Sequence, residues 1–287
     1  MEKKFYLNIG RASEIADSKD QRFYRFLEIL PALLSWGTIV LVIFLSWVQP
    51  FIIAIFIIFF DVYWLLKTVF LSLHMRSAFD KMKKNLKKNW HNELERTHIS
   101  SQALPGIVWR DIYHLVILPM YQEPLEVVRA SFLSLSKINY PLDKLIVVLA
   151  VEERGGESTL AVTREMEKEF GDIFFKFLVS VHPKDIPGEI AGKGSNDSWA
   201  IKEVKNKIID QSKISYERII VSVFDIDTIT HPEFFGCLTY AYLSCKKPLL
   251  SSFQPIPLFV NNIWQAPAFA RIFAFSTTFW QMIQQSR

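Results

Sequence analysis

Cysteine is nearly absent from this chain. Cys237 and Cys245 are the only two among 287 residues, and they lie eight positions apart in an apolar stretch with helical spacing. This spacing fits neither a zinc site nor a dithiol redox motif, and so few cysteines exclude a disulfide-stapled fold. We therefore predict two buried thiols in a reducing compartment.

Several other features are missing as well. The first apolar run starts late and lacks a small-residue cleavage site, so we expect no cleaved signal peptide. The sequence has no internal repeat and no low-complexity segment. The formal net charge is only +4, and we predict that no nucleic-acid polymer is a partner.

Apolar residues, in contrast, are in excess. Hydrophobic residues make up 50% of the chain and aromatic residues 14%, and the mean hydropathy is +0.17, which predicts membrane contact. Two long apolar runs, at 29–48 and 51–73, are joined by Gln49 and Pro50. At about 1.5 Å per residue, each run is long enough to cross a hydrocarbon core of about 30 Å. We predict a transmembrane helical hairpin with Pro50 in the first turn of the second helix.

Cations flank the two runs but not the turn between them. They are Lys3, Lys4, Arg11, Lys19, Arg22 and Arg25 before the first run, and Arg76, Lys81, Lys83, Lys84, Lys87 and Lys88 after the second. This distribution predicts that both ends of the hairpin are cytoplasmic. The second cluster would also attract anionic membrane lipids, unless it is only a solvated helix face.

After the hairpin, apolar strands alternate with amphipathic helices. The pattern predicts strands at 114–118, 144–151, 173–181 and 219–224, and helices at 124–137, 158–170 and 195–211. Strands with apolar residues on both faces, separated by helices, indicate a mostly parallel sheet covered on both sides. We therefore predict a Rossmann-like α/β domain, whose ligands bind at the carboxyl ends of the strands.

Polar residues follow these predicted strands. They are Tyr121, Glu123, Glu152, Glu153, Lys193, Asp225 and Asp227. Strand alternation would put Asp225 and Asp227 on one side, where two carboxylates repel each other unless a cation lies between them. One interpretation is a solvated strand end beside a helix cap. The other is a site for a diphosphate and Mg²⁺ or Mn²⁺, which bind oxygen ligands.

Four motifs follow one another along residues 115–244: "ILPMYQEP", an acidic pair after the second strand, "AGKGSN" and "VFDIDT". This order resembles the cytoplasmic domain of family-two glycosyltransferases, and the preceding hairpin resembles their membrane-embedded bacterial members. The resemblance implies a glycosyltransferase A-type fold in a multi-pass protein of a bacterial-type inner membrane. It also implies inverting transfer from a nucleoside-diphosphate sugar to a glycan or lipid-linked acceptor, as in polysaccharide biosynthesis.

The same resemblance implies roles for individual residues. Five of them would hold the base and ribose of the donor: Pro119, Tyr121, Glu123, Glu152 and Glu153. Lys193 would lie near the diphosphate, together with Asp225, and Asp225 and Asp227 would bind the Mg²⁺ or Mn²⁺ ion. The chain departs from the family in having "EERG" after the second strand, where Asp-Asp-Gly-Ser is usual, and Gln122 where Asn is usual.

The family's general base belongs to an acidic motif well after the D-x-D. Beyond Asp227 the chain has one acidic residue, Glu233, which we assign to the dipole of the next helix, so the general base is not found. We expect an incomplete form that does not transfer sugar by itself. Alternatives are a non-catalytic membrane protein that keeps the fold for interaction or regulation, and a transporter, which would have to oligomerise.

These patterns divide the chain into five segments. We predict a cytoplasmic N-terminal segment at 1–28, the hairpin at 29–73, a basic linker helix at 74–112 and the nucleotide-sugar-binding domain at 113–254. The aromatic segment at 255–287 is either an interfacial helix lying on the membrane or a helix buried in the acceptor half of the domain.

Overall fold

A computed structural model of the chain describes residues 12, 15–97, 103–187, 189, 191–261 and 263–285. The chain divides into two compact units, Met1–Leu73 and His74–Arg287. Three of the cations that underlie the predicted topology, Lys3, Lys4 and Arg11, lie outside the described residues.

The N-terminal described residues form two long apolar helices, the second of which continues past Leu73, the last residue of the first unit. α1 spans Ser18–Val48, and α2 spans Pro50–Lys87. The carboxylate of Asp17 caps α1 by accepting hydrogen bonds from two N–H groups of its first turn at 2.8 and 3.0 Å. Pro50 is the first residue of α2, as predicted. Both helices are long and apolar enough to cross a membrane, judged by length and composition.

α2 extends beyond the predicted end of the second apolar run at position 73. Residues 74–87 contain neither proline nor glycine, so nothing in the sequence interrupts the helical hydrogen bonds before Lys87. A separate helix, α3, follows at Trp90–Thr97. The predicted single linker helix at 74–112 is therefore wrong in its bounds, because the segment holds the end of α2, then α3, and a 3₁₀ turn at Trp109–Asp111.

The second unit is built on a parallel sheet. Its strands in the described residues are β1 Tyr113–Met120, β2 Leu145–Glu152, β3 Lys176–His182 and β4 Ile219–Val223. They lie in the order β3-β2-β1-β4, and all three neighbouring pairs are parallel. The predicted parallel sheet is confirmed, and the chain has a mixed α/β fold.

Further helices lie between the strands and after the last of them. They are α4 Leu125–Ser136, α5 Gly156–Phe170, α6 Lys193–Val204, α7 Asp210–Ser212, α8 Phe234–Ser244 and α9 Ala268–Gln285. α6 leads through a π-helical turn at Lys205–Ile209 directly into α7, so the predicted helix at 195–211 is present with slightly wider bounds.

Both faces of the sheet are covered by helices. On one face, Leu115 and Ile117 of β1 pack with Ala200 and Val204 of α6. On the other face, alternate residues of β1 such as Val116 pack with α4, α5 and α8. All eight residues of β2 are buried, which explains why this strand is apolar without alternation.

The two cysteines are free thiols, but the prediction that both are buried is wrong. Cys237 and Cys245 are each partly exposed, because the first lies near the start of α8 and the second follows its last residue. Burial raises the pKa of the Cys237 thiol. A hydrogen bond with Ser251 lowers the pKa of the Cys245 thiol.

The described part of the aromatic segment ends in α9. One side of this helix is anchored, since Met282 is buried and the hydroxyl of Thr278 donates to the Pro257 carbonyl at 3.0 Å. Six large apolar residues of this helix are exposed: Phe269, Ile272, Phe273, Phe275, Phe279 and Trp280. Both predictions for this segment stay open, because such a face fits either a lipid surface or a protein cover.

Candidate functional site

The strand order creates a crevice at one edge of the sheet. The chain moves from β1 to β2 and β3 in one direction, and β4 then lies on the opposite side of β1. The connection after β1 lies on one face of the sheet, with α4, and the connection after β3 lies on the other face, with α6. Where the connections diverge in this way, an open parallel sheet has room for a ligand beyond the carboxyl ends of its strands.

A cavity of about 570 Å³ opens at this edge. Its lining contains every residue of the predicted site except Glu153: Pro119, Tyr121, Glu123, Glu152, Lys193, Asp225 and Asp227. The lining also contains Arg154 and Asn196, which the sequence reasoning did not assign. The volume lies in the range of small-molecule and cofactor sites.

The connection after β1 is ordered by Glu123. Its Oε2 accepts the backbone N–H groups of Tyr121 at 2.7 Å and Gln122 at 3.1 Å. Glu123 therefore shapes the loop that presents Tyr121.

The connections after β1 and β2 are held tightly together. The hydroxyl of Thr159 donates to the Tyr121 carbonyl at 2.6 Å. Gly155 fits between them, and a Cβ at this position would lie 2.4 Å from the Tyr121 oxygen and 2.5 Å from Thr159 Oγ1. Only glycine allows this approach, so the "EERG" sequence positions the Tyr121 loop.

Glu152 is a buried carboxylate with an internal partner. It ends β2 with 6% of its surface exposed, and the Nε of Arg154 donates to its Oε2. This hydrogen bond raises the pKa of Arg154, so the guanidinium stays charged. The same guanidinium lies 4.9 Å from the centre of the Tyr121 ring, a cation–π contact. Arg154 thus links two residues of the predicted base site. The sequence did contain one indication of this role, because Arg154 is part of the "EERG" segment in which the chain differs from the family pattern.

Glu153 does not line the cavity. β2 ends at Glu152 and a 3₁₀ turn begins at Glu153, so the two side chains diverge. Glu153 instead accepts the backbone N–H of Lys184 at 3.0 Å, from the loop after β3.

Lys193 and Asp225 form an ion pair across the cavity, between the first residue of α6 and the connection after β4. Asp197 lies one helical turn after Lys193 and was not assigned from the sequence. Burial raises the pKa of Asp197, and the nearby Asp225 raises it further, whereas Lys193 lowers it. In the sequence, the role of Asp197 beside Lys193 and Asp225 is indicated only by the i, i+4 spacing of Lys193 and Asp197.

Asp225 and Asp227 do line the same cavity, but strand alternation is not the cause. β4 ends at Val223, and the two aspartates lie in a turn in which the N–H of Thr228 donates to the Asp225 carbonyl at 2.9 Å. Ile226 between them is buried and anchors the turn, because its carbonyl accepts the hydroxyl of Ser131.

The carboxylates of the cavity could supply only part of the coordination shell of a cation such as Mg²⁺. Among the described residues, no group of three or more His, Cys, Asp or Glu side chains is placed to hold a metal ion. Two aspartates nevertheless suit Mg²⁺ or Mn²⁺ when phosphate oxygens and water complete the shell, which is the usual arrangement for magnesium with nucleotides.

Glu233 lies outside this cavity. It immediately precedes α8, a position where its negative charge interacts favourably with the helix dipole, as predicted from the sequence. Its carboxylate also accepts hydrogen bonds from the backbone N–H of Trp90 and the side-chain amide of Asn139. These contacts engage both oxygens, so Glu233 is a structural carboxylate.

No protein-family model matches this sequence, and no curated protein matches it either.

Proposed function

We propose that this protein is a membrane-anchored glycosyltransferase of the family-two type, which uses a nucleoside-diphosphate sugar and a divalent cation. One observation carries the proposal: a single cavity at the switch point of a parallel sheet is lined by Tyr121, Lys193 and the carboxylates of the resembling motifs except Glu153. Residues from the connections after all four strands contribute to it, and a set of unrelated surface residues would not be expected to converge in this way.

The cavity offers different chemistry at its two ends. Tyr121 and Arg154 form a flat, cationic surface beside the carboxylate of Glu152, which suits a planar base with N–H donors. Lys193, Asp225 and Asp227 lie at the other end, where a lysine and metal-binding oxygens suit a diphosphate.

The proposed roles at the diphosphate end follow from charge. Sugar transfer requires the departing diphosphate to be stabilised as negative charge develops on it. Asp225 and Asp227 would hold Mg²⁺ or Mn²⁺, which supplies this stabilisation as a Lewis acid. Lys193 would leave Asp225 when the cation binds, and would then be free to contact a phosphate oxygen.

The proposed membrane arrangement follows from the two apolar helices. Helices of this length and composition can anchor the protein, and the cation distribution supports the proposal that both of their outer ends are cytoplasmic. Nucleotide sugars are charged and polar, so a cytoplasmic cavity suits them, and a growing glycan or a lipid-linked glycan would be the acceptor.

A second candidate is nucleotide-sugar binding without transfer, in a role of interaction or regulation. It is favoured by the engagement of Glu233, since this is the only acidic residue after Asp227 in the sequence and its oxygens are occupied. Loss of a general base typically costs about 10² to 10⁴-fold in rate. A sugar-transfer assay with radiolabelled donors, in membranes that contain the chain, tests for activity. Transfer that requires Asp225 would exclude the second candidate and would also contradict the expectation that this chain does not transfer sugar by itself, whereas binding without transfer agrees with both candidates.

Calorimetry on the detergent-solubilised chain tests metal-dependent nucleotide binding, which both candidates require. We expect a ribonucleoside diphosphate or its sugar conjugate to bind in the presence of Mn²⁺ or Mg²⁺, and binding to be lost when EDTA is added. A panel of UDP, GDP, ADP and CDP covers the common bases. Absence of binding for every member with either cation would contradict both candidates.

A further inference from the structure

Asn196 is a buried amide in the first turn of α6. Only 2% of its surface is exposed, and its Nδ2 donates to the carbonyl of Ala150 at 2.8 Å. Because a carbonyl oxygen can only accept, this bond fixes which end of the amide faces β2. The remaining atom, Oδ1, is an acceptor with no hydrogen-bond partner in the part of the chain that the structure describes.

A buried acceptor without a donor destabilises a fold, and native proteins rarely keep one unless water or a ligand completes it. Asn196 is part of the cavity lining, so a molecule in the cavity is well placed to supply the donor. A phosphate cannot do so, because its ionised oxygens only accept. The missing partner must therefore carry an O–H or N–H group.

The position of Asn196 indicates which part of a nucleotide carries that group. Ala150 lies two residues before Glu152 on β2, and Lys193 lies one turn before Asn196 on α6. Asn196 is therefore placed between the proposed base end of the cavity and the proposed diphosphate end. In a nucleoside diphosphate, the ribose joins these two parts.

We infer that Asn196 Oδ1 accepts a hydrogen bond from a ribose hydroxyl, and that this contact makes the site selective for ribonucleotides over deoxyribonucleotides. The inference rests on the proposed function, because it assigns a specificity-determining residue within the same cavity. A site built to bond a hydroxyl rejects an analogue that lacks it, since the buried acceptor is then left without a partner.

Calorimetry with Mn²⁺ on the full-length, detergent-solubilised chain tests this assignment. The probes are the tightest-binding member of the UDP, GDP, ADP and CDP panel and its 2′-deoxy and 3′-deoxy analogues. We expect the wild-type chain to bind one of the two deoxy analogues about tenfold or more weakly than the ribonucleotide. In Asn196→Ala the ratio of the two dissociation constants, deoxy analogue to ribonucleotide, should fall to about one, because the acceptor that requires the hydroxyl has been removed. Asn206→Ala, an exposed residue of the same helical stretch, should keep the wild-type ratio.

The outcomes separate this inference from the proposed function. If a ribonucleoside diphosphate binds but both deoxy analogues bind the wild-type chain equally well, Asn196 does not read the ribose, although the proposed function stands. The same conclusion follows if Asn196→Ala keeps the discrimination. The wild-type comparison decides the point even if the alanine variant does not fold. If no member of the panel binds, both proposals fail together.

Discussion

The carboxylate of Glu233 accepts the backbone N–H of Trp90 at 2.6 Å, across 143 positions of the chain. Trp90 is the first residue of α3, so Glu233 satisfies an N–H group at the start of this helix, in addition to the cap from Asn89, whose side chain accepts the N–H of Asn92 at 2.8 Å. The second oxygen accepts the side-chain amide of Asn139 at 2.7 Å. One carboxylate thus joins α3, the loop after α4 and the start of α8.

Removal of this carboxylate should destabilise the second unit. We expect Glu233→Ala to lower the free energy of unfolding by about 2 kcal/mol or more, because two donors at a partly buried position lose a charged acceptor. Urea unfolding followed by tryptophan fluorescence measures this in the detergent-solubilised chain. Glu165→Ala, at an exposed position of α5, is the matched control and should change stability by less than about 0.5 kcal/mol. Equal stability of the two variants would contradict the role of Glu233.

Gly155 should tolerate no side chain. A methyl group there would lie within 2.5 Å of Tyr121 and Thr159 atoms, so Gly155→Ala must separate the connections after β1 and β2. We expect a loss of about 1–3 kcal/mol in stability, together with weaker nucleotide binding. Gly194→Ala is the control, because nothing lies within 4 Å of its added Cβ and alanine favours the helical conformation. This control should gain about 0.4–1 kcal/mol in thermal unfolding experiments. Similar shifts in both variants would show that the two loops are not locked together.

His114 should make stability depend on pH. Complete burial lowers the pKa of this imidazole from 6.5 to about 3, while its Nε2 lies 2.8 Å from Thr239 Oγ1. The unfolded chain therefore binds more protons than the folded chain between these two values, and the contribution of His114 to stability falls as the pH drops below 6.5. Between pH 8 and pH 5 the loss is about 2 kcal/mol.

The difference between wild type and His114→Gln isolates this contribution from that of other titrating groups. We expect the stability advantage of the wild-type chain over the variant, measured by urea unfolding, to shrink by about 2 kcal/mol between pH 8 and pH 5. A constant difference across this range would mean that His114 ionises normally in the folded protein.

Asp225 and Asp227 should both be needed for metal-dependent nucleotide binding. We expect Asp225→Ala and Asp227→Ala each to weaken binding in the presence of Mn²⁺ by about 2 kcal/mol or more, because a charged contact is lost. Asp172→Ala, an exposed residue after α5, controls for the change in net charge and should leave the affinity unaltered. Calorimetry gives all three values. Wild-type affinity in both site variants would overturn the metal assignment.

The turn between α1 and α2 should face away from the cytoplasm. Single cysteines at Lys4 and Gln49, in a chain whose two native cysteines are replaced by serine, can be labelled with a membrane-impermeant thiol reagent. In intact cells we expect label at position 49 but not at position 4, because the cations lie at the other ends of the two helices. Position 4 should become reactive after permeabilisation. The reverse pattern in intact cells would overturn the predicted topology.

The sequence by itself determined the elements of this fold. Two apolar runs predicted most of α1 and the start of α2, and apolar runs alternating with helical periodicity predicted β1 to β4 with bounds close to those observed. This was possible because such signals are local: the length of an apolar run and the spacing of its residues reflect the solvent on each side of one element. The same local signals placed polar residues such as Tyr121 and Asp225 after strands.

Tertiary structure alone decided which of these residues meet. The position of β4 beside β1 brings Asp225 to Lys193 and into the cavity with Tyr121, and no periodicity encodes that strand order. A turn after β2 directs Glu153 away from Glu152, although the two are neighbours in sequence. The carboxylate of Glu233 accepts the N–H of Trp90 only in the folded chain. These contacts join residues that are distant in sequence, and they form only when packing of the two cores fixes the backbone, so local patterns carry no information about them.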